Sequence, residues 1–259
     1  MRVKVERIAA PGATLFLVRV GEGAPLLVLG SGPGEPHDLL RPHLDALASA
    51  REVVYSDPRG CGRSPLDEGS EPADVATLVD DVERVRAHLG AARVDLLGFS
   101  WGALVALRYA EAHPERVGAM ILVSPPPPRG QGEVGPRPEP AARDPSGLRA
   151  RFDRRIAPAL FDPASVARLT AVEVDEVAAW AASNSLGRYD LTETLRARRG
   201  AATLVVHGED DPVYPGAAEE VAEAAGARRV SVARCGHAPF FEAPEVFLAA
   251  AEGFLRAQG

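Results

Sequence analysis

The chain has 259 residues, of which 46% are hydrophobic, and can therefore bury one sizeable core. Its formal net charge is -7, with acidic and basic residues interspersed, which argues against a nucleic-acid partner. No uninterrupted apolar run reaches the length of a transmembrane helix, so we expect no membrane partner either.

The two cysteines and the N-terminal residues set the expected compartment. Cys61 and Cys235 lie far apart without paired spacing, which predicts neither a disulfide framework nor a metal site. We expect both thiols to be buried and reduced. Residues 1–7 begin with a strand pattern rather than a charged and then apolar leader, so we predict a cytoplasmic protein.

Strand and helix patterns alternate along the first half of the chain. The expected strands are residues 3–7, 14–20, 25–30, 51–56, 93–97 and 117–123. Apolar residues recur at helical spacing in residues 39–48, 75–89 and 103–110. This alternation is typical of βαβ units and predicts a mostly parallel sheet.

The alternation stops after residue 124. Residues 124–145 are rich in Pro and Gly, and residues 146–199 are expected to be helical. The later expected elements are a strand at 201–207, a helix at 217–225, a strand at 229–232 and a helix at 243–257. We predict that residues 1–124 and 200–259 form one core domain, into which residues 125–199, called the lid below, are inserted.

A serine lies between two glycines where a strand pattern changes to a helix pattern. Ser100 follows the strand at 93–97 and precedes the helix at 103–110, within the sequence Gly-Phe-Ser-Trp-Gly. G-x-S-x-G in this setting is typical of a nucleophile elbow, in which a strained turn exposes the serine hydroxyl. Gly98 and Gly102 supply the minimal side chains that such a turn needs.

A nucleophilic serine needs a base within hydrogen-bond reach and a carboxylate that orients the base. Asp211 and His237 follow Ser100 in chain order, and each comes directly after an expected strand. Asp210 is the alternative acid, but the G-x-x-D spacing and the following proline favour Asp211. We predict a catalytic triad of Ser100, His237 and Asp211.

With these motifs in place, the chain resembles the α/β-hydrolase family over nearly its full length, and within it the proline iminopeptidases and their relatives. The matching motifs are Gly98-Phe-Ser-Trp-Gly102, Asp57-Pro-Arg-Gly-Cys-Gly-Arg-Ser64, Ser31-Gly-Pro-Gly34, Gly208-x-x-Asp211 with Pro215, and Gly236-His237 with Pro239 and Glu242. The resemblance implies an α/β-hydrolase fold with a mostly parallel eight-stranded sheet flanked by helices and an inserted helical lid.

The oxyanion loop of the family usually has the sequence H-G-G-P-G, whereas this chain has glycine at position 30 in place of the histidine. Backbone N–H groups stabilise the oxyanion, so Gly32 and Trp101 can still form the hole. Ser31 could contact the substrate through its hydroxyl, although a loop serine often bonds to its own backbone. Gly60 and Gly62 indicate that the loop at 57–64 is a tight structural turn.

Aminopeptidases of the family hold the ammonium group of the substrate with acidic residues of the lid. The matching candidates are Glu173, Asp175, Glu176, Asp190 and Glu193. Of these we select Glu173 and Asp190, together with Trp180, as substrate-binding residues. Solvated helix faces explain many such charges, and Trp180 could instead belong to a small core of the lid.

The leading functional hypothesis is a serine hydrolase that needs no cofactor, acts through an acyl-enzyme and resembles a proline iminopeptidase. The alternatives are a carboxylesterase, a carbon–carbon bond hydrolase, and a non-catalytic small-molecule-binding protein on the same fold. The expected partner is a small molecule or a short peptide. The sequence leaves the oligomeric state open, a homodimer included.

Overall fold

The computed structural model describes residues 2–30, 32–132, 134–139 and 145–258. The strands are β1 (Val3–Ala10), β2 (Ala13–Val20), β3 (Pro25–Leu29), β4 (Glu52–Ser56), β5 (Val94–Phe99), β6 (Val117–Val123), β7 (Arg129–Gln131), β8 (Arg188–Asp190), β9 (Thr203–Gly208) and β10 (Arg228–Val232). The α-helices are α1 (Val75–His88), α2 (Trp101–Ala112), α3 (Leu148–Ile156), α4 (Glu176–Leu186), α5 (Thr192–Ala197), α6 (Ala217–Ala225), α7 (Pro239–Glu242) and α8 (Pro244–Arg256).

Eight strands form one sheet in the order β1-β2-β4-β3-β5-β6-β9-β10. The pairs β1–β2 and β2–β4 are antiparallel, and the other pairs in this sheet are parallel. The expected mostly parallel, eight-stranded sheet is therefore confirmed. Its central strands are apolar runs because helices cover both faces, as parallel sheets require.

The core lies on both faces of the sheet. Leu96 packs in a cluster with residues of α1 and α2, while the next residue, Leu97, packs in the opposite cluster with residues of α8. Successive side chains of a strand point to opposite faces, so one apolar run supplies both clusters. Cys61 and Cys235 are buried and free, as expected.

Helix α1 shows how local sequence sets a boundary and a buried face. The Asp74 carboxylate accepts a hydrogen bond from the Thr77 N–H at 2.7 Å and caps the helix. Its buried valines are Val75, Val79, Val82 and Val85. This spacing places them along one stripe of the helix, against the sheet.

The prediction of a helix at residues 39–48 is wrong. The chain forms two short 3-10 turns instead, His37–Leu39 and Asp45–Ser49. Pro42 lies between them, has no N–H to donate and disfavours helical geometry at Arg41. The leucines of this region are still fully buried, so their spacing indicated burial but not the type of helix.

The lid contributes β7, α3, α4, β8 and α5 between the neighbouring strands β6 and β9. The lid is tied to the loop after β3 at the start of α4, because the Asp175 N–H donates to the Gly34 carbonyl at 2.9 Å. A Cβ on Gly34 would lie 2.4 Å from the Asp175 carbonyl oxygen. Among the residues described, no helix is both long and apolar enough to cross a membrane.

We predict opposite stability effects for alanine at two helical glycines. A Cβ at Gly102 would lie 2.3 Å from the carbonyl oxygens of Leu29 and Gly30, whereas a Cβ at Gly253 would meet nothing within 4 Å. Gly102→Ala should lower the free energy of unfolding by about 1–3 kcal/mol. Gly253→Ala, the matched control, should raise it by about 0.5–1 kcal/mol. Urea unfolding measures both, and a Gly102→Ala protein as stable as wild type would contradict the packing argument.

Candidate active site

The turn between β5 and α2 holds Ser100 in a backbone conformation that side chains rarely adopt. Its φ is 53° and its ψ is -119°, and its N–H donates to the Val123 carbonyl at 2.9 Å. A Cβ at Gly98 would lie 2.5 Å from the Gly102 carbonyl oxygen. The turn therefore closes only with glycine on both sides of the serine, which agrees with the strain expected at a functional position.

The structure brings the three predicted triad residues together. The Ser100 Oγ lies 2.9 Å from the Nε2 of His237, and the Nδ1 of His237 lies 2.8 Å from the Oδ2 of Asp211. Each side chain comes from a segment just beyond β5, β9 or β10 at the edge of the sheet. All three residues are buried, with exposed fractions of 8–9%. These contacts allow a proton to pass from the serine to a histidine whose other nitrogen is held by a carboxylate.

Asp211 rather than Asp210 contacts the histidine. The second oxygen of Asp211 accepts the Val213 N–H at 2.8 Å and the Tyr214 N–H at 3.4 Å. Burial acts to raise the pKa of Asp211, but the bonds from His237 and these two N–H groups outweigh it and lower the pKa. The carboxylate is therefore ionised at neutral pH, while Asp210 is exposed to solvent.

The imidazole of His237 contacts two aromatic rings. The ring centroid of Phe99 lies 5.1 Å away and that of Tyr214 lies 5.6 Å away, in tilted and edge-on contacts. Its neighbours in the chain are fixed by Glu242, whose carboxylate accepts the N–H groups of Gly236 at 3.1 Å and Ala238 at 3.0 Å. The sequence motif included Glu242, but only the structure shows what it contacts.

Gly32 and Trp101 both border a small cavity of about 60 Å³. Trp101 is the first residue of α2, where the backbone N–H has no acceptor within the helix. The turn at Gly32 is closed by a hydrogen bond from the Glu35 N–H to the Gly32 carbonyl at 3.3 Å. Ser31, the third candidate of this loop, lies outside the described residues.

Sequence reasoning missed a charged pair beside the oxyanion loop. The buried carboxylate of Glu35 lies 2.6 Å from an Nη1 of Arg155, which comes from α3 of the lid. The carboxyl carbon of Glu35 is also 2.9 Å from the point where a Cβ of Gly32 would stand. Arg155 thus places a positive charge from the lid against a negative charge on this loop.

A second charged network lies beneath the same loop. The Asp57 carboxylate contacts the Nδ1 of His37 at 2.6 Å and accepts the Nε–H of Arg63 at 2.9 Å. Burial acts to raise the pKa of Asp57, but the bonds from His37 and Arg63 hold this pKa well below its usual range. Atoms of His37, Asp38 and Asp57 lie within 4.8 Å of one another, as a metal site requires. The Arg63 guanidinium bonds to both carboxylates, so the network is internally charge-paired.

The loop at 57–64 is a structural turn, as its glycines indicated. The Ser64 Oγ donates to the Asp57 carbonyl at 2.7 Å and accepts the Phe16 N–H at 2.8 Å. Arg59 forms a buried ion pair with Asp81 of α1. The loop therefore connects the sheet edge to a neighbouring strand and helix.

The acidic candidates of the lid have different surroundings. Glu173 lies 3.2 Å from an Nη2 of Arg151, while Asp175 accepts the Ala178 N–H at 2.9 Å and caps α4. Asp190 is exposed and accepts the Thr192 N–H at 2.9 Å, and this bond lowers its pKa. The other two, Glu176 and Glu193, are exposed.

A cavity of about 790 Å³ lies between the lid and residues 60–72. Among the described residues that line it are Pro36, Leu66, Arg151, Phe152, Arg155, Glu173, Asp175 and Glu176. Neither Trp180 nor Asp190 is among the described lining residues, nor is any member of the predicted triad. The Nε1 of Trp180 donates to the Gly135 carbonyl at 2.7 Å, so this ring is held within the lid.

Comparisons with known proteins agree with this fold and with these motifs. A model of the Alpha/beta hydrolase family matches residues 26–251. The proline iminopeptidase of Lactobacillus delbrueckii subsp. bulgaricus is 43% identical over an alignment of 113 positions, which covers 40% of this chain and 38% of that protein. The chain thus matches little more than a third of the length of this curated relative.

Two solved structures match over the whole length. A proline iminopeptidase-related protein from Thermus thermophilus is 27% identical, with a TM-score of 0.76 and coverage of 100% of this chain and 99% of that one. An esterase from Rhodococcus is 25% identical, with a TM-score of 0.76 and complete coverage of both chains at 100%.

The eight-stranded sheet, the elbow at Ser100 and the match over residues 26–251 together define the class of this protein. The chain belongs to the Alpha/beta hydrolase family. Among the relatives that it matches are proline iminopeptidases and an esterase.

Proposed function

We propose that the chain is a serine hydrolase that acts through an acyl-enzyme on Ser100. The contacts of His237 with Ser100 at 2.9 Å and with Asp211 at 2.8 Å support this proposal more than any other observation. His237 Nε2 takes the proton of the serine hydroxyl as Oγ attacks the substrate carbonyl carbon. The ionised Asp211 stabilises the imidazolium that forms.

The tetrahedral intermediate carries its negative charge on the former carbonyl oxygen. We assign its stabilisation to the backbone N–H groups of Gly32 and Trp101, because Trp101 directly follows Ser100 and both residues border one small cavity. The imidazolium then gives its proton to the leaving group, and the acyl-enzyme remains. Water attacks that ester with His237 again acting as base, which returns Ser100 to its starting state.

The leading substrate class is a peptide or arylamide with a free N-terminal proline. Support comes from the similarity to proline iminopeptidases, which covers 40% of the chain. We assign the ammonium group to Glu173, because it lines the 790 Å³ cavity and is only 35% exposed, whereas Asp175, which also lines it, caps α4. Its contact with Arg151 would have to loosen when an ammonium binds.

A carboxylesterase is the second candidate. The Rhodococcus esterase matches the whole chain with the same TM-score, 0.76, as the proline iminopeptidase-related protein of Thermus thermophilus. In addition, Asp190 and Glu193 are exposed and bonded within the lid surface, so they offer no buried acceptor for an ammonium group. An ester without a charged amine needs no such acceptor.

Replacing the serine tests the proposal as a whole. Ser100→Ala should lower turnover by about 10⁶-fold, since the nucleophile is lost, with little change in the unfolding midpoint. A fluorophosphonate probe should label the wild-type protein at Ser100 and leave the variant unlabelled. Resistance of the wild type to labelling, or activity retained in the variant, would refute the proposed mechanism.

The two neighbouring aspartates provide a matched pair. Asp211→Asn should reduce turnover by about 10⁴-fold, because asparagine cannot stabilise the imidazolium and favours the wrong tautomer. Asp210→Asn removes an equal charge from the exposed side chain of the preceding residue and should leave turnover near wild type. Steady-state kinetics of both variants decide the matter, and equal losses would show that the acid is wrongly assigned.

The substrate class is tested by comparing a proline arylamide with a short acyl ester. For an aminopeptidase, Glu173→Gln should raise KM for the arylamide by about 10-fold or more, equivalent to about 1.4 kcal/mol, and leave ester hydrolysis unchanged. Glu193→Gln, on the exposed surface of the lid, serves as the control. A wild-type protein that cleaves esters and ignores the arylamide would favour the esterase.

A further inference from the structure

One carboxylate lies between the loop of His237 and the lid. Glu242 ends the short helix α7, and its Oε2 accepts the Gly236 N–H at 3.1 Å and the Phe161 N–H at 2.7 Å. Its Oε1 accepts the Ala238 N–H at 3.0 Å. The bonded N–H groups thus come from both chain neighbours of His237 and from the lid.

A second contact joins the same two segments. The backbone N–H of His237 donates to the Ala159 carbonyl of the lid at 2.8 Å. A Cβ at Gly236 would lie 2.5 Å from that same carbonyl oxygen, so the two backbones touch directly. The lid at residues 159–161 and the loop at 236–238 therefore form one hydrogen-bonded unit, with the Glu242 carboxylate at its centre.

His237 is carried by irregular backbone. The loop after β10 lies outside any strand or helix up to Pro239, so regular hydrogen bonding does not fix its peptide groups. Bonds from N–H groups to a carboxylate are stronger than those to a neutral acceptor. A displacement of a reacting group by about 1 Å can lower a reaction rate by about 10²-fold.

We propose that Glu242 is a positioning residue for His237, which aligns the imidazole with Ser100 only when residues 159–161 of the lid are in place. The inference rests on the proposed role of His237 as the base. It also makes the lid part of the machinery that sets the rate, in addition to any contact that the lid makes with the substrate. If Glu242 only ended α7, replacing it would lower the free energy of unfolding without a specific effect on His237.

The test compares Glu242→Gln, Glu242→Asp and the control Glu245→Gln, which removes an exposed charge three residues away. Glutamine keeps the size of the side chain but replaces one acceptor oxygen with an NH2 group. That group is a donor, so it cannot bond to the backbone N–H that it would face. We expect Glu242→Gln to lower kcat by about 10- to 100-fold with KM changed less than about 3-fold. Glu242→Asp, which keeps both acceptor oxygens, should retain more of kcat, and Glu245→Gln should match wild type.

Two measurements need no substrate and separate this inference from the proposed function. Hydrogen exchange at Phe161, Gly236 and Ala238 should speed up together in Glu242→Gln, and the rate of fluorophosphonate labelling at Ser100 should fall. Glu245→Gln, which removes an exposed charge outside this unit, should leave both rates unchanged. If Glu242→Gln does not fold, Glu242→Asp provides the same readouts.

The inference is overturned if Glu242→Gln labels and turns over like wild type, or if exchange increases at Gly236 and Ala238 but not at Phe161. It is also overturned if kcat falls only in proportion to the unfolded fraction. The proposed function fails separately, if Ser100 in the wild-type protein does not react with the probe at all.

Discussion

The close approach of α2 to the end of β3 is the constraint on which the rest of the site depends. The Gly102 Cα lies so near the carbonyl groups of Leu29 and Gly30 that no side chain fits there. This contact places the first turn of α2, with the Trp101 N–H, beside the loop that carries Gly32. The strained backbone of Ser100 is the geometric result, because the chain must reverse between β5 and a helix held this close to the sheet. The strain is compensated by the apolar packing of α2, most of which is buried.

Local patterns in the sequence predicted the sheet and the residues that meet at its edge. Apolar runs of five to seven residues indicate parallel strands covered on both faces, and β3 and β6 have this pattern. Residues that directly follow such strands lie at one edge of the sheet. For this reason the sequence predicts that Asp211 and His237 lie near Ser100, and in the structure His237 is within hydrogen-bond distance of both Ser100 and Asp211.

Contacts between segments far apart in the chain were beyond the reach of those patterns. The pairs Glu35–Arg155 and Glu242–Phe161 join residues separated by 120 and 81 positions, and nothing in the local sequence of either partner indicates the other. For a related reason the sequence does not separate the lid acids that line the cavity from those that are only solvated, since a charge on a short helix has the same pattern in both cases. Similarly, the leucine spacing at 39–48 correctly predicted which side chains are buried, but Pro42 prevents a continuous helix there.

The junction between Gly34 and Asp175 is made of main-chain atoms alone. The Asp175 N–H bonds to the Gly34 carbonyl, and the Gly34 Cα faces the Asp175 carbonyl at a distance that leaves no room for a side chain. Such a junction does not require a particular side chain at position 175, provided that the backbone there keeps the same path. The lid can therefore accumulate substitutions on its cavity face during evolution while the loop beside Ser100 keeps its shape. Recombination that shortens or lengthens the chain before α4 would move this junction and alter that loop, even if every residue around the serine were retained.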